Sequence, residues 1–385
     1  MLEEHFRQRV IGTFNHLHAR PELSWEEVET TKYIKDLLEN AGCRVRTFSD
    51  CTGVIGDFGH FDKGLPVVAV RADMDALWQE VDGIYRANHS CGHDAHMSIV
   101  LGVLWKLAED PSLSEQIAVR FIFQPAEELG AGALKLFEHG VLDGVDYLFG
   151  IHLRPTEEAP DGYAAPAIYH GSTGALECEI IGDDAHGARP HLTSNAIEVG
   201  THIVNALHTI HLDPSVPYSV KVTRFQAGGK NTNIIPGQAS LAFDLRAQTN
   251  GLMKQLKEKV YDILESAQQL FGSKIEITND YSIVAAEVDK EAESMARQAI
   301  TKVLGESKII EPLMTPGGDD FHFYTIQKPE LKAAMVGLGC GLEPGLHHPN
   351  MTFNREAMFS GIDVLTEIIL LASKRHIDRN DGHIT

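Results

Sequence analysis

The chain has 385 residues, of which 43% are hydrophobic and 23% are charged, as in ordinary globular proteins with room for two domains. Its 54 acidic and 33 basic residues give a formal net charge of -21 at pH 7. Because such a surface repels phosphate backbones and anionic lipids, we expect neither nucleic acid nor membrane partners. A charged N-terminus and an odd number of cysteines, 5, predict a cytoplasmic protein without a signal peptide.

The first part of the chain predicts an α/β domain with a largely parallel sheet. Residues 24–27, SWEE in one-letter code, have the spacing of a helix capping box, and Gly42 stands where a helix would end. Strands then alternate with helical sequence. The predicted strands are 43–48, 53–58, 66–71, 117–124 and 147–153, with a helix at 94–107.

The middle of the chain predicts a second domain that is inserted into the first. Its elements follow the order β-α-β-β-α-β, the split arrangement of a ferredoxin-like domain. They are predicted at 175–182, 194–211, 219–226, 239–247, 251–271 and 274–278, and the first domain resumes with elements at 288–303, 331–337 and 359–375. We therefore expect one domain from 1–172 and 285–385 and another from 173–284. The polar tail 378–385 is expected to fray.

Five short segments carry side chains that can bind metal ions, and four of them follow or end predicted strands. Ligands in open α/β sheets lie beyond the carboxyl ends of the strands, so these segments can converge on one crevice. The segments are 71–75 (RADMD), 91–96 (CGHDAH), 124–128 (QPAEE), 150–152 (GIH) and 346–349 (LHHP).

Cysteine, histidine and glutamate together form a ligand set for zinc, manganese, cobalt or nickel. Cys91 and His93 are two positions apart, so in an extended loop both side chains face one side and can reach one metal pair. Glu127 and Glu128 are adjacent, so one can ligate while the other acts as general base. Simpler interpretations also exist, namely a buried cysteine beside a loop histidine and a solvated acidic pair before a helix.

The other candidates in this domain have similar alternatives. His152 follows an apolar run, where a histidine is more often a core residue than a ligand. His347 and His348 form a loop pair that can equally lie on the surface. Asp73 and Asp75 can orient ligating histidines through hydrogen bonds, or can cap a turn.

Three polar positions of the inserted domain can bind a substrate carboxylate or a developing oxyanion. His186 and Asn233 stand in polar loops, and Arg246 follows a strand. Ordinary turn and capping chemistry would explain each of them on its own.

Taken together, these segments resemble the dinuclear aminoacylase and carboxypeptidase-type metallopeptidase family. The resemblance runs almost end to end, from residues 18–24 (HARPELS) to residues 346–349 (LHHP), and the order of five separated motifs makes it specific. The chain is most similar to the branch of hippurate hydrolases, auxin-conjugate hydrolases and N-acetyl-diaminopimelate deacetylases. The resemblance implies an α/β/α metal-binding domain with an inserted ferredoxin-like lid and dimerisation domain, and hence a homodimer through the lid.

The resemblance also implies a role for each matched residue. Two divalent metal ions, of zinc, manganese, nickel or cobalt, would be held by Cys91 as the bridge and by His93, Glu128, His152 and His347. His348 occupies a variable position of the family pattern, so the two neighbouring histidines can exchange roles.

The catalytic and substrate-binding roles follow in the same way. Glu127 matches the general base, and His186 matches the lid histidine that stabilises the oxyanion across the dimer. Asn233 and Arg246 match residues that hold the amino-acid part of the substrate, and Asp73 would orient a ligating histidine.

Three departures from the family pattern surround the expected pocket. Trp78 stands where the family commonly has proline, residues 317–321 read GGDDF where Gly-Ser-Glu-Asp-Phe is usual, and residues 182–185 read GDDA in place of a glycine-rich lead. None of them removes an expected ligand, so they bear on substrate choice more than on reaction class.

The resemblance therefore implies hydrolysis of N-acyl amino acids or similar small amides by metal-activated water, with Glu127 as general base. A dipeptidase or carboxypeptidase of the same fold is the first alternative. A non-catalytic binding protein is a more remote one, because the base and all matched ligands are present.

Overall fold

A computed structural model of the chain describes residues 2–375, and the chain divides into two compact units. The first unit comprises Met1–Tyr169, Glu287–Leu313 and Asp319–Thr385, and the second comprises His170–Ala286 and Met314–Gly318. The sequence predicts the second unit at 173–284 and does not anticipate the segment 314–318. The tail 378–385, for which the sequence predicts fraying, lies outside the described residues.

A seven-stranded mixed sheet forms the centre of the first unit. In spatial order its strands are Arg44–Thr47, Val54–Gly59, Ala118–Gln124, Val67–Asp73, Tyr147–Pro155, Lys332–Leu342 and Ala164–Ala165. The third to sixth strands are mutually parallel, and the three flanking strands are antiparallel to their neighbours. Val67–Asp73 and Ala118–Gln124 are buried along their whole length, as expected for strands covered on both faces.

Helices accompany this sheet, and one of them begins within a candidate metal-binding motif. They are Leu2–His18, Val28–Asn40, His93–Ala108, Pro111–Ser114, Gly132–Glu138, Lys290–Leu304, His322–Gln327 and Ala357–Ser373, with a 3₁₀ turn at Glu306–Lys308. His93–Ala108 is apolar on nearly all sides, and it is therefore buried almost throughout. It begins directly after Gly92, whose φ of 87° favours glycine, so the fold presents His93 at a buried helix start.

The capping-box prediction is wrong. The helix begins at Val28, and Ser24 Oγ instead donates to Asp75 Oδ2 at 2.6 Å. The carboxylate of Glu22 caps the helix, since it accepts hydrogen bonds from two N–H groups of the first turn at 3.1 and 2.8 Å. Gly42, with a φ of 84°, lies just beyond the helix end, as predicted.

A β-hairpin that the sequence analysis missed follows the central strand. Its strands, Leu77–Val81 and Ile84–Asn88, are antiparallel, and the intervening Asp82-Gly83 pair has φ angles of 54° and 81°. An Asp-Gly pair between two strands is a strong signal for a two-residue turn, so the signal was present in the sequence.

The second unit has the predicted order β-α-β-β-α-β, and its sheet is antiparallel. In spatial order the strands are Tyr218–Ala227, Ala239–Ala247, Ser172–Ile181 and Lys274–Ile283, and the helices are Ala196–Leu207 and Asn250–Phe271. The two inner strands alternate between buried and less buried residues, so one face packs on the helices. A small ribbon pairs Ala185–His186 with Ile234–Ile235, and a 3₁₀ turn spans Pro190–Leu192.

Two further short strands, Ile168–His170 and Leu313–Thr315, complete the elements. All five cysteines are free. Within residues 2–375, no helix combines the length and the apolar character that crossing a membrane requires.

Candidate metal centre

Cys91 lies at the centre of a cluster of potential metal ligands in the first unit. Its Sγ atom is 3.7 Å from His152 Nε2 and 3.3 Å from His347 Nε2. Two ligand sets, each with all atoms within 4.8 Å of one another, share this thiol. One set contains His93 and His152, and the other contains Glu128 and His347. The structure thus brings all five predicted ligands together, with Cys91 common to both sets.

The two buried histidines of the first set are fixed in the same way. His93 Nδ1 lies 2.9 Å from the carbonyl oxygen of Asp75, to which it donates, and His152 Nδ1 donates to the carbonyl of the next residue at 2.7 Å. Each hydrogen bond leaves Nε2 directed at the cluster. His93 Nε2 lies 3.8 Å from Glu128 Oε1.

His347, and not its neighbour His348, reaches the cluster. Its backbone N–H donates to the carbonyl of Ser90 at 2.8 Å, and its Nε2 lies 3.5 Å from Glu128 Oε1. His348 Nδ1 instead accepts a hydrogen bond from the N–H of Asn350 at 3.1 Å, in an exposed turn.

Two buried atoms of the cluster have no hydrogen-bond partner among the described residues, namely His93 Nε2 and Glu128 Oε1. A buried polar atom without a partner costs about 1–3 kcal/mol, so such atoms point to a missing ligand. Sulfur, imidazole nitrogen and carboxylate oxygen are donors that suit zinc, manganese, nickel and cobalt. The residues present therefore fit divalent cations.

The electrostatics of the cluster also favour a cation. Burial raises the pKa of Glu128 to about 7, and burial together with the charge of Glu128 raises the pKa of the Cys91 thiol well above its usual value. Burial alone would lower the pKa of His93, but the nearby acidic groups, chiefly the Asp73 carboxylate, raise it well above the ordinary value. A bound cation would compensate this concentration of negative charge.

Glu127 borders the two ligand sets that share Cys91. Its Oε2 lies 3.8 Å from His93 Nε2, and the side chain is buried. Burial, followed by the charges of Asp319 and Glu128, raises the pKa of Glu127 well above its ordinary value. A buried carboxyl group with a raised pKa is a candidate for taking up and returning a proton.

The orientation of His93 depends on Asp75 rather than on Asp73. The Oδ1 atom of Asp73 pairs with His96 Nδ1 at 2.6 Å, and its Oδ2 accepts from Arg71 Nη1 at 2.6 Å. Asp73 is therefore engaged away from His93 Nδ1, whereas both the backbone carbonyl and the carboxylate of Asp75 lie within 3.3 Å of that atom. His96 was not predicted as a site residue.

Sequence reasoning also missed a buried charged network beside the cluster. Arg71, which is 2% exposed, donates to Gln124 Oε1 at 3.0 Å and to Asp320 Oδ1 at 2.7 Å, and Asp319 lies 3.4 Å away. The segment 317–321 (GGDDF), which departs from the family pattern, thus places two buried carboxyl groups, of Asp319 and Asp320, in this network. In the sequence, the only sign of this network was the pair of adjacent aspartates that follows two glycines at 317–320.

The three predicted site residues of the inserted domain, one catalytic and two substrate-binding, all lie in the second unit. His186 pairs with Ile234 in the small ribbon, and the carbonyl of Asn233 accepts from the N–H of residue 187 at 2.7 Å, so these two predicted residues are neighbours. Arg246 stands on an inner strand of the sheet and pairs with Asp244 at 2.8 Å.

A second group in the first unit, Asp50, Cys51 and His139, also holds potential ligand atoms within 4.8 Å of one another. Lys135 Nζ lies 2.7 Å from Asp50 Oδ2, so an ammonium group already neutralises this carboxylate. Burial raises the pKa of the Cys51 thiol to about 11. This partly exposed group therefore fits a cation less well than the buried cluster around Cys91.

The α/β unit with its cluster of potential cysteine, histidine and glutamate ligands is typical of hydrolases of the metallopeptidase class. The profile of peptidase family M20/M25/M40 matches residues 69–371, and the chain belongs to this family, as the sequence motifs predict. It is 30% identical to an N-acetyl-L-cysteine deacetylase of Bacillus subtilis (strain 168), over 97% of this chain and 89% of that protein. An IAA-amino acid hydrolase of Arabidopsis thaliana is 29% identical, over 95% and 87% of the two chains.

A solved structure has the same fold. It is a dinuclear metal-binding peptidase of the M20 family from Bacillus subtilis, with a TM-score of 0.81, 28% identity, and coverage of 97% of this chain and 99% of that chain.

Proposed function

We propose that the protein is a metal-dependent amidohydrolase that cleaves the amide bond of N-acyl amino acids or similar small conjugates. The observation that carries this proposal is the sharing of Cys91 by two ligand sets beside the buried carboxyl group of Glu127. The similarity to an N-acetyl-L-cysteine deacetylase and an IAA-amino acid hydrolase supports the substrate class.

In this proposal two divalent cations, of zinc, manganese, nickel or cobalt, would be held by the two ligand sets to which Cys91 belongs. His93 and His152 complete one ligand set, and Glu128 and His347 complete the other. When bound, such cations polarise the scissile carbonyl and make water a better acid. The similarity to a dinuclear metal-binding peptidase supports the number of ions.

The side chains of the protein then move the proton and hold the substrate. Glu127 accepts a proton from the attacking water and returns it to the leaving amine, a contribution of typically 10²–10⁴-fold. His186 donates to the developing oxyanion, and Asn233 and Arg246 hold the amino-acid part of the substrate. These last three roles rest on the family resemblance.

The proposal also includes a homodimer formed through the second unit, which would act as the lid, and a cytoplasmic location. Tyr218–Ala227 is an edge strand of the sheet in the second unit, and such an edge can pair with a second copy. Five free cysteines are in keeping with a reducing compartment.

The test of this function is Glu127→Gln, assayed on a panel of N-acetyl, N-benzoyl and indole-acetyl amino acids. We expect a wild-type metal content and a loss of turnover on the order of 10²–10⁴-fold. Glu138→Gln, which changes an exposed glutamate on a helix, is the matched control and should leave turnover unchanged. Near-wild-type turnover by metal-loaded Glu127→Gln, or full wild-type activity after exhaustive chelation, would contradict the proposal.

A dipeptidase or carboxypeptidase is the second candidate, and it is favoured by the similarity to a solved M20 peptidase. Side-by-side measurement of kcat/KM on N-acetyl amino acids and on dipeptides with the same C-terminal residue separates the two. Higher kcat/KM on the dipeptides would assign the protein to the peptidase alternative. The remote alternative, a non-catalytic binding protein, predicts no turnover of either class.

A further inference from the structure

Glu27 is a fully buried carboxylate that the mechanism above does not use. Its Oε2 accepts a hydrogen bond from Thr52 Oγ1 at 2.6 Å, and its Oε1 accepts one from the backbone N–H of Ala126 at 2.8 Å. Within residues 2–375 Glu27 forms no ion pair with a cationic side chain, so hydrogen bonds from Thr52, Ala126 and the backbone of Glu27 itself solvate the carboxylate. Burying a carboxylate without a cationic partner costs free energy of folding, so we expect a role that would explain its presence.

Helix capping is not that role. Glu27 directly precedes the helix Val28–Asn40, but its side chain makes no capping hydrogen bond. The first turn of this helix is capped by the carboxylate of Glu22 instead. The side chain of Glu27 is therefore directed away from its own helix and toward Ala126, 99 positions along the chain.

Ala126 is the residue directly before Glu127, and its backbone is in the left-handed region, with a φ of 51°. This region is unfavourable for alanine, so the surrounding structure must hold it. The next two N–H groups, of Glu127 and Glu128, donate to the two oxygens of Asp75 at 3.2 and 3.0 Å. Three successive N–H groups of the turn are thus bound by two buried carboxylates, of Glu27 and Asp75.

We propose that Glu27 is a positioning residue for catalysis, which holds the turn at Ala126 and thereby sets the place of the Glu127 carboxyl group. This inference rests on the proposed function, in which Glu127 is the base. Proton transfer demands close alignment, and a misplacement of about 1 Å can cost on the order of 10²-fold in rate.

The test compares three substitutions in the metal-loaded full-length protein. Glu27→Ala removes the acceptor, and Glu27→Asp withdraws the carboxylate from Ala126 while it keeps the charge. We expect both to lower kcat by roughly 10- to 100-fold, with KM and metal content close to wild type. Glu27→Gln retains an acceptor for the N–H of Ala126 and can donate to Thr52, so it should restore kcat to within a few-fold.

Glu22→Ala is the matched control, because it removes the carboxylate that caps the same helix, and that carboxylate binds N–H groups of the helix rather than of the turn at Ala126. It should lower the melting temperature and leave kcat unchanged. If Glu27→Ala does not fold, the comparison of kcat between Glu27→Asp and Glu27→Gln tests the inference. Wild-type kcat in Glu27→Asp, or a loss in Glu27→Gln equal to that in Glu27→Ala, would overturn the inference.

The proposed function is checked first with the same substrate. If the wild type is active and Glu127→Gln is not, Glu127 is assigned as the general base. Activity that survives in Glu127→Gln is a failure of the proposed function. Full kcat in Glu27→Ala and Glu27→Asp beside an inactive Glu127→Gln is a failure of the positioning role alone.

Discussion

Cys91 Sγ lies 3.3 Å from His347 Nε2, although 256 positions separate the two residues in the chain. The contact joins the loop before the helix His93–Ala108 to the loop near the C-terminus. Because Cys91 also belongs to the set with His93 and His152, its thiol is common to both sets.

We expect Cys91→Ala to remove both metal ions, because neither ligand set is complete without the thiol. His347→Ala removes a ligand from one set, so one ion should remain bound. The measurement is metal content per chain by mass spectrometry after gel filtration. Cys178→Ala, which deletes a buried thiol in the second unit, is the control and should keep both ions. Two tightly bound ions in Cys91→Ala would contradict a shared ligand.

Asp75 contacts His93 and also binds the N–H groups of Glu127 and Glu128. In Asp75→Asn one acceptor oxygen becomes an NH₂ group that faces a backbone N–H, so the turn and His93 should both shift. Loss of such an outer partner typically costs about 10- to 100-fold in metal affinity or activity, and we expect a loss of that size. Competition with a chromophoric chelator measures the affinity.

Ser24→Ala is the control for this substitution. It removes one hydrogen bond to Asp75 Oδ2 and leaves the contacts to His93 and the turn in place. Its metal affinity should stay within a few-fold of wild type. An Asp75→Asn variant with the same affinity and kcat as Ser24→Ala would refute the orienting role of the carboxylate.

Local sequence patterns predicted most of the fold because burial and periodicity are local properties. The helix at 94–107 is observed at His93–Ala108, and the fully buried strand Val67–Asp73 begins with four consecutive apolar residues. The hairpin Leu77–Val81 with Ile84–Asn88 was missed because its strands lack regular alternation and are largely exposed. Its Asp-Gly turn was the one clear signal.

Some residues of the candidate site could be predicted from the sequence, and others could not. Glu128 and His347 follow parallel strands of the sheet, and His152 lies within one, so their convergence could be predicted. The residues that orient them could not, since those contacts depend on register and on distant pairing. Asp73 and Asp75 are two positions apart and chemically identical, yet only Asp75 contacts His93 Nδ1. Glu27 reaches Ala126 across 99 positions.

Arg246 tests the substrate-binding part of the proposal. A charged hydrogen bond to a substrate carboxylate is worth about 1.5–3 kcal/mol, so Arg246→Ala should raise KM by roughly 10- to 100-fold with a smaller effect on kcat. Asp244 pairs with this guanidinium, so the substrate must compete with an internal carboxylate. Arg224→Ala, which breaks an exposed pair with Glu177 in the same sheet, is the control and should leave KM unchanged. An unchanged KM in Arg246→Ala would remove Arg246 from the binding site.

The burial of Glu27 predicts a pH-dependent cost to stability. Burial is the largest cause that raises its pKa from 4.5 to about 7, and the nearby charge of Asp75 adds to it, while hydrogen bonds from Thr52 and Ala126 oppose it. The folded protein therefore binds this proton more tightly than the unfolded chain. The stability that the protonated group contributes is fully present below about pH 4.5 and is lost as the pH rises through about 7.

Glu27→Gln cannot titrate, so its stability relative to wild type should increase over the same pH range. The pKa difference corresponds to roughly 3 kcal/mol. We expect similar melting temperatures at about pH 4.5, and a clearly higher melting temperature for Glu27→Gln at about pH 8, by differential scanning calorimetry. Parallel pH profiles for the two proteins would show that the carboxylate is not destabilising. A higher melting temperature combined with near-wild-type kcat would mean that the turn requires an acceptor at this position but not a charge.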